Sequence, residues 1–492
     1  MGVAFMNIPW GIALILLPLM AGMICFLWPR MAKVLGLITA LAVTLSVAGL
    51  AWQMLNTGVY RHAVGGWGVP LGIDLHADGL SLLMLVMTAL VGVAVSVYSA
   101  AYFKGEEAIR FWPLWLLLLA ALNALFLSAD IFNVYVTFEL MGLAAVALVA
   151  LAGGRDALGG AMLYLLAALL GSLAYLLGVA LLYHGFGTVD IALLAERVDA
   201  SPVVWAALGL MGAGLLLKTA VFPLHFWLPP AHASAPAPVS ALLSALVVKA
   251  SFYILLRLWL EVFQPLVGSE GVYTLLGLLG AAAVLWGSIQ ALRQTRLKLL
   301  IAYSTVAQIG YLFLAFPLAV AAGVAAWNAV VYLALSHALA KAAMFMAAGN
   351  LLRFGGHDSI ADLDRVVQRL PLTAGAFALA GVSIIGLPPS GGFIGKWLML
   401  EAALTQGRWD LVAVMILGGL LAAAYIFKVL GYAFTQADVV HESRAVPAGM
   451  EWAAFLLAGG AILLGFLAVP VLSLVGIGDP FTISGGVSEV RS

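Results

Sequence analysis

Eight side chains combine ionisable chemistry with apolar surroundings: Glu139, Lys218, His225, His232, Lys249, His337, Lys341 and Lys396. The densest group lies between Gly212 and Tyr253, in GAGLLLKTAVFPLHFWLPPAHASAPAPVSALLSALVVKASFY. Two apolar segments meet there at a break rich in Pro, Ala and Ser, and each carries one lysine well inside it, Lys218 and Lys249. A lysine at the centre of a membrane span costs roughly 2.5 to 3.5 kcal/mol on insertion scales. Two of them beside a broken helix point to a chain that carries charge through a membrane. Glu139, in IFNVYVTFELMGLAAVALVALAG, is the clearest buried acid by sequence. A carboxylate and an ammonium ~4 Å apart attract by about 4 kcal/mol at an effective dielectric of 20. Contact favours the charged forms and burial the neutral ones, so a Glu139–Lys218 pair is suited to lock or release a proton. The same two residues also read as a structural ion pair between helices.

Lys249 lies in a helix whose Ser240, Ala241, Ser244 and Ala245 permit close packing. A desolvated lysine gives up its proton more readily; the plainer alternative, a side chain snorkelling to an interface, conflicts with its central position. His225 and His232 flank the break. Histidine suits a proton shuttle near physiological pH, and carbonyls freed at a broken helix tolerate water or ions; a structural histidine is the competing reading for each. With no cysteine or carboxylate beside them, no metal is expected. His337 and Lys341 are four residues apart and share a helix face. With Lys396, just after a second break, they continue the path. Lys428 reads either as deep or as reaching the interface, and Arg257, nearer a span end, as an anchor. Asn123, Asn133, Ser172, Thr219, Ser304, Thr305 and Gln308 are able to orient water, and each is equally a common helix-packing residue.

These residues need a scaffold, and composition fixes its class. Of the 492 residues, 64% are apolar and 9% charged, against roughly 25% charged in soluble domains. Apolar runs of membrane-crossing length recur throughout, whereas a β-barrel would show short alternating segments. The expected fold is an all-α polytopic membrane protein. A formal net charge of zero and the lack of a basic tract give no sign of nucleic acid. The single cysteine, Cys25, rules out an internal disulfide, a cysteine-rich metal site and an iron–sulfur cluster. The N-terminal apolar segment lacks a basic n-region and a small-residue cleavage site and is read as a retained span.

Hydropathy predicts about fourteen spans: 8–28, 31–54, 78–100, 111–128, 130–152, 159–184, 203–228, 236–264, 271–292, 297–318, 323–351, 371–405, 409–434 and 450–475. The second and third are separated by a Gly-rich polar loop with Arg61, His62, Asp74 and Asp78. The twelfth is long and interrupted by Gly386-Leu387-Pro388-Pro389-Ser390, so it is expected to be a broken helix. No loop is long enough for a soluble domain, which leaves one membrane domain over 1–492: peripheral helices in 1–110, a first unit in 111–264, a second in 271–434 and a last helix in 450–475. One set of alternate loops holds Arg30, Lys33, Lys104, Arg110, Arg155, Arg293, Arg296, Lys298, Arg353, Arg365, Arg369 and Arg444. The other holds Arg61, Arg197 and Arg408, with Arg491 in the tail. The positive-inside rule then puts both termini on the outer side of the membrane. Breaks at Phe226–Pro230 and Gly386–Pro389 fall five spans apart. An odd separation inverts equivalent helices, so spans 4–8 and 9–13 read as two inverted five-helix repeats.

There is no Walker loop, no GxGxxG after a strand, no CxxCH and no ligand cluster for iron or copper. The chain is therefore expected neither to hydrolyse ATP nor to carry electrons. It reads as a transporter component rather than an enzyme, without cofactor, driven by an ion gradient or by partner subunits.

The run KTAVFPLHFWLPPAHASAPAPVSALLSALVVKASFY strongly resembles the signature of the antiporter-like subunits. These are shared by the Mrp multisubunit cation/proton antiporters, respiratory complex I and membrane-bound hydrogenases. The Glu139 helix, RLKLLIAYSTVAQIGYLFL at 296–314, SHALAKAAMFMAAGNLL and GLPPSGGFIGKW agree with it. The resemblance covers nearly the whole chain and implies fourteen helices with two inverted repeats, broken at helices 7 and 12. It also implies proton translocation along a central hydrophilic axis. Glu139 matches the family's fifth-helix glutamate, Lys218 the seventh-helix lysine, Lys249 the eighth-helix lysine and Lys396 the twelfth-helix acceptor. His225 and His232 match histidines around the seventh-helix break, and His337 and Lys341 fall in the eleventh helix. Lys396, the overall wording, and the lack of both a lateral helix and extra C-terminal spans look most like the D-type subunit of Mrp. That likeness implies a bacterial inner-membrane Na⁺(K⁺)/H⁺ antiporter, with Mrp A, B, C, E, F and G type subunits, protons, Na⁺ as a second candidate ion, and the lipid bilayer as partners. A proton-pumping subunit of complex I or of a membrane-bound hydrogenase, hence of a translocase, is the alternative.

Overall fold

The computed structural model describes residues 8–70, 72–263, 266, 270–437 and 443–481. Arg491 lies outside the described residues. In chain order the helices are α1 (Trp10–Leu27), α2 (Ala32–Thr57), α3 (Gly79–Tyr102), α4 (Gly105–Phe126), α5 (Ile131–Ala150), α6 (Gly154–Phe186), the short α7 (Ile191–Arg197) and α8 (Pro202–Thr219). They continue as α9 (Leu228–Ser234), α10 (Ala237–Leu242), α11 (Val248–Glu261), α12 (Glu270–Arg293), α13 (Leu297–Ala322) and α14 (Val324–Gly355). The last are α15 (Val366–Arg369), α16 (Pro371–Ile385), α17 (Gly391–Thr405), α18 (Trp409–Phe434), α19 (Ala448–Leu463) and α20 (Ala468–Val475). Among the described residues thirteen helical segments are long and apolar enough to cross a membrane, with Ala237–Glu261 counted as one. The expected twelfth span is the pair α16 and α17, fifteen residues each. This is an all-α polytopic membrane protein.

Two segments, Ala237–Glu261 and Val324–Gly355, each contain an eighteen-residue stretch that is buried throughout. The periphery is the reverse: α6 turns Leu166, Leu170, Leu173 and Leu177 outward, and α18 turns out Ile416, Leu420 and Phe427. That distribution suits a hydrocarbon surround, which neither drives helices together nor penalises exposed leucine. Close packing must then come from small residues. A Cβ added at Gly214 would lie 2.3 Å from the carbonyl oxygen of Gly171, and one at Gly310 would lie 2.5 Å from that of Gly280. These glycines let α6 meet α8, and α12 meet α13, backbone to backbone.

Both expected breaks are present, and prolines account for them. Helix α8 ends eight to nine residues before the predicted end of span 7, at Ala220, which adopts the left-handed conformation (φ 59°). Pro223 lacks an N–H to continue the ladder. The indole Nε1 of Trp227 donates at 2.8 Å to the carbonyl of Leu217, which also accepts from Ala220 N. Pro229 and Pro230 fit the first turn of α9, and Pro236 ends it. The second break runs from Gly386 (φ 89°) to Ser390, whose Oγ accepts from Phe393 N and caps α17.

The loop between the second and third spans is more ordered than its Gly-rich sequence predicts. Strands β1 (Tyr60–Ala63) and β2 (Asp74–Ala77) pair antiparallel, Tyr60 opposite Ala77 and Ala63 opposite Asp74. The hairpin delivers Asp78 to the start of α3, where Oδ1 accepts from Ser81 N at 2.9 Å. Its carboxylate also meets Arg257 bidentately, at 2.5 and 2.8 Å. Arg257 further contacts Glu261 at 2.5 Å and Ser81 Oγ at 2.9 Å. Arg257 is an anchor, as its place near a span end suggests, and it ties α11 to α3 through a buried ion pair, 7% exposed. One sequence expectation changes here. Asp78, 3% exposed, is a more deeply buried acid than Glu139, whose side chain is 21% exposed.

Burial alone would push the Asp78 carboxyl up, but the charge and hydrogen bonds of Arg257 outweigh it and hold the group at about 2, below its ordinary 3.8. A depressed acid stabilises the folded state above its unfolded value, and that contribution is lost as the pH falls from about 4 towards 2. Arg257→Leu strands the buried carboxylate and is expected to cost roughly 3 to 5 kcal/mol. Thermal unfolding of the purified complex measures this, and adding Asp78→Asn should recover part of the loss.

Candidate functional site

Three groups of polar side chains cross the interior. The first joins α5, α6 and α8. Lys218 Nζ lies 3.8 Å from Glu139 Oε1, donates to Ser172 Oγ, and stands 3.7 Å from the centroid of the Phe138 ring. Its stem crosses Gly171, where an added Cβ would come within 3.0 Å of Lys218 Cγ. The ammonium therefore has a carboxylate, a hydroxyl and an aromatic face, on a floor kept low by glycine.

The second group lies on the two enclosed segments. Between α10 and α11 the helix widens into one π turn, Leu243–Val247, and such turns release a carbonyl from the regular ladder. Lys249 Nζ donates to the Ser244 carbonyl within that turn. Ser244 Oγ meets Thr305 Oγ1 of α13 at 2.9 Å, and Thr305 Oγ1 donates to Ile301 O at 3.0 Å. Lys341 of α14 donates to that same carbonyl at 3.2 Å and to Ser304 Oγ. Lys249 and Lys341, on different helices, thus flank a polar seam of two backbone carbonyls, Ser244 O and Ile301 O, and the Ser244 and Thr305 hydroxyls; Lys249 holds the Ser244 carbonyl and not its hydroxyl. The Ser304 hydroxyl beside Lys341 both donates and accepts, so it pairs with that lysine in either protonation state.

The third group is at the second break. Lys396 Nζ donates to Ile384 O at 2.6 Å and to Ile385 O at 3.2 Å, the carbonyls freed where α16 ends. It also stands 4.3 Å from the centroid of the Tyr311 ring. Gln308 Nε2 reaches Ile384 O at 3.4 Å. A lateral cleft of about 320 Å³, lined by Gly386, Lys396, Trp397 and Met415 among others, opens beside it.

The histidines divide. His337 is 2% exposed with neither ring nitrogen hydrogen-bonded, and it interacts electrostatically with Lys249, Lys341 and Lys396. It lies one helical turn before Lys341 on α14. His232 is fully buried, also with both nitrogens unpartnered. It stacks on Phe345 with centroids 4.7 Å apart and interacts with Lys298, Lys341 and Lys249. Buried polar atoms rarely go without partners. His225 is half-buried beside Phe222 and Tyr303, centroids 5.6 and 6.4 Å away. Among the described residues no hydrogen bond or ion pair joins it to the other seven, and no hydrogen bond joins Lys218 to Lys249. No group of three or more metal-binding side chains occurs among the described residues.

Of the polar residues with two readings, Ser172, Ser304, Thr305 and Gln308 touch these groups. Asn123 and Asn133 instead bond Leu14 O and Ser128 Oγ, away from the lysines. Lys428 donates to Leu292 O and Gln294 O, closing the end of α12. Lys298 groups with the loop charges by sequence, but it is 3% exposed and donates to Ala233 O and Ala235 O beside the first break. A signal for it is present: Lys298, Thr305 and Gln308 recur at helical spacing and share one stripe of α13.

A family model described as "NADH:quinone oxidoreductase/Mrp antiporter, TM" matches residues 128–422. A second, "NADH-Ubiquinone oxidoreductase (complex I), chain 5 N-terminus", matches residues 64–112. The NADH-quinone oxidoreductase subunit N of Desulforudis audaxviator is 36% identical over 489 residues, 94% of this chain and 97% of that one. The D-type subunit of the Na⁺/H⁺ antiporter of Bacillus subtilis is 29% identical, over 85% of this chain and 86% of its own. A chain in the structure of the Mrp complex from Dietzia sp. DQ12-45-1b superposes with a TM-score of 0.87 at 25% identity, covering 95% of this chain and 97% of that chain. The family match across the breaks and their lysines, with relatives aligned along nearly the whole length, means that this chain belongs to the NADH:quinone oxidoreductase/Mrp antiporter family, as an antiporter-like membrane subunit.

Proposed function

We propose that this chain is the proton-translocating subunit of a multisubunit Na⁺(K⁺)/H⁺ antiporter in a bacterial cell membrane, with both termini on the outer side. The observation that carries the reading is the polar seam of hydroxyls and carbonyls between Lys249 and Lys341, set among the buried stretches of the two most enclosed segments. Carbonyls only accept, so the seam holds the two lysines in one polar environment, and the protons cross between them on water. Protons are taken up near Lys249 and the first break, pass by His232, His337 and Lys341, and leave near Lys396. Glu139 and Lys218 act as a switch on that flow, tightening or loosening with the charge of a neighbouring subunit. The partial exposure of Glu139 supports this, because a neighbour is able to touch it. His225 belongs to the rim of the break. The two broken helices, each with a lysine beside it, support two inverted units over 111–264 and 271–434.

The D-type antiporter relative and the Mrp complex favour an antiporter with Mrp-type partner subunits. A second reading, a proton-pumping module of a redox complex, is favoured by the 36% identity to a quinone oxidoreductase subunit. The proton path is common to both. Purification of the native complex separates them: small membrane subunits alone support the antiporter, and flavin or iron–sulfur proteins support the redox module.

Glu139→Gln and Lys218→Ala are each expected to slow proton-coupled exchange in reconstituted vesicles on the order of 10-fold or more while leaving assembly intact. A variant that assembles and exchanges at the full rate removes the switch role. Ser244→Ala combined with Thr305→Val removes both hydroxyls of that seam without removing a charge. It is expected to slow exchange several-fold, with Lys249 and Lys341 both in place, as read by a pH-sensitive dye inside the vesicles.

A further inference from the structure

Lys298 takes no part in that path, yet its surroundings are built. Helix α9 ends at Ser234 because Pro236 offers no N–H to the carbonyl four residues earlier, that of His232. The Ser240 hydroxyl takes that carbonyl instead, at 3.1 Å. The next freed carbonyls, Ala233 O and Ala235 O, are both taken by Lys298 Nζ from α13. One ammonium therefore ties the end of α9 to another helix, at the residues flanking the deepest histidine. A carbonyl pair at a helix C-terminus is a favourable seat for a cation, since the helix dipole is negative there.

A cleft of about 230 Å³ reaches the same spot, lined by Glu107, Ala233–Pro236, Arg296, Lys298 and Asp358 among others. Arg296 and Asp358 pair at 3.1 Å at its rim, with Arg296 half-exposed. The cleft thus opens towards the arginine-rich face of the protein. Next to the carbonyl pair that Lys298 holds is His232, fully buried with both ring nitrogens unpartnered.

We propose that Lys298 is the positioning residue of the mouth on that face. Latched on Ala233 O and Ala235 O, it fixes the end of α9 and His232 and keeps the cleft apart from the axis. Released, it opens the cleft to His232. The role in transport rests on the proton path proposed above; the latch itself does not.

The test uses the whole complex, with Cys25→Ala in this chain and one probe, Ser240→Cys, behind the latch. A small charged methanethiosulfonate reagent is added from the arginine-rich face, and labelling of this chain is read by mass. With Lys298 in place the probe is expected to react slowly. Lys298→Ala is expected to raise its rate tenfold or more and Lys298→Arg to keep it low. Without the probe, Lys298→Ala should slow proton-coupled exchange several-fold and Lys298→Arg restore at least half of the rate. A labelling rate equal in Lys298→Ala and the parent overturns the latch whatever transport does. A rate that rises while Lys249→Ala exchanges normally upholds the latch and removes the proton path instead. If Lys298→Ala does not assemble, Lys298→Gln, which still reaches one carbonyl, replaces it; an intermediate labelling rate supports the latch, and the parent's rate overturns it.

Discussion

Ammonium groups in an apolar interior must find oxygen, and this chain places few carboxylates there. Lys218 has Glu139. Lys249, Lys298, Lys341, Lys396 and Lys428 rest on backbone carbonyls, with a serine hydroxyl added for Lys341. An unbroken helix gives away few carbonyls, because each already accepts from the residue four ahead. Irregular backbone and buried lysine therefore go together at Lys249, Lys298, Lys396 and Lys428, whereas Lys341 rests on Ile301 O within the unbroken α13 and on Ser304 Oγ. The end of α9, the π turn, the gap after α16 and the end of α12 each expose carbonyls, and each holds a lysine. Without the lysine, an opened carbonyl in a water-poor interior would be costly; without the opening, the lysine would lack a partner.

Carbonyl partners also shape the chemistry. An ammonium locked to a carboxylate is held by a strong mutual charge, and moving its proton must break that pairing. Carbonyls and hydroxyls hold it through dipoles, which are weaker. A series of such sites offers comparable seats to a proton instead of one deep well. Only the Glu139–Lys218 pair departs from this, and it stands apart from the polar seam between Lys249 and Lys341. The molecule therefore separates a charge-paired site from a series held on neutral oxygens.

Much of this was legible from residue types. The apolar runs, the two proline breaks, the central lysines and the Glu139–Lys218 pair follow from length, backbone chemistry and the cost of buried charge. What was not legible depends on partners distant in sequence. Asp78 and Arg257 lie 179 residues apart and Ser244 and Thr305 lie 61 apart, and nothing local in either segment names the other. The π turn has no proline or glycine to announce it in LSALV. Lys298 misleads for another reason: one residue into its helix, it looks like a loop charge until the bend of α9 brings two carbonyls over it. The polar loop before α3 likewise hides a hairpin, because its register is set by pairing and not by composition.

The partial exposure of Glu139 reaches beyond this chain. Lys218 is enclosed on every side, but its carboxylate partner lies at the perimeter, among the outward-facing Phe132, Val136 and Leu140. The attraction between two charges scales inversely with the polarity of what surrounds them. Lipid tails, detergent, water or the flank of another protein would each set a different strength for the same 3.8 Å contact. The energy stored in that pair is thus a shared property of this subunit and whatever abuts it, and the isolated polypeptide does not own it.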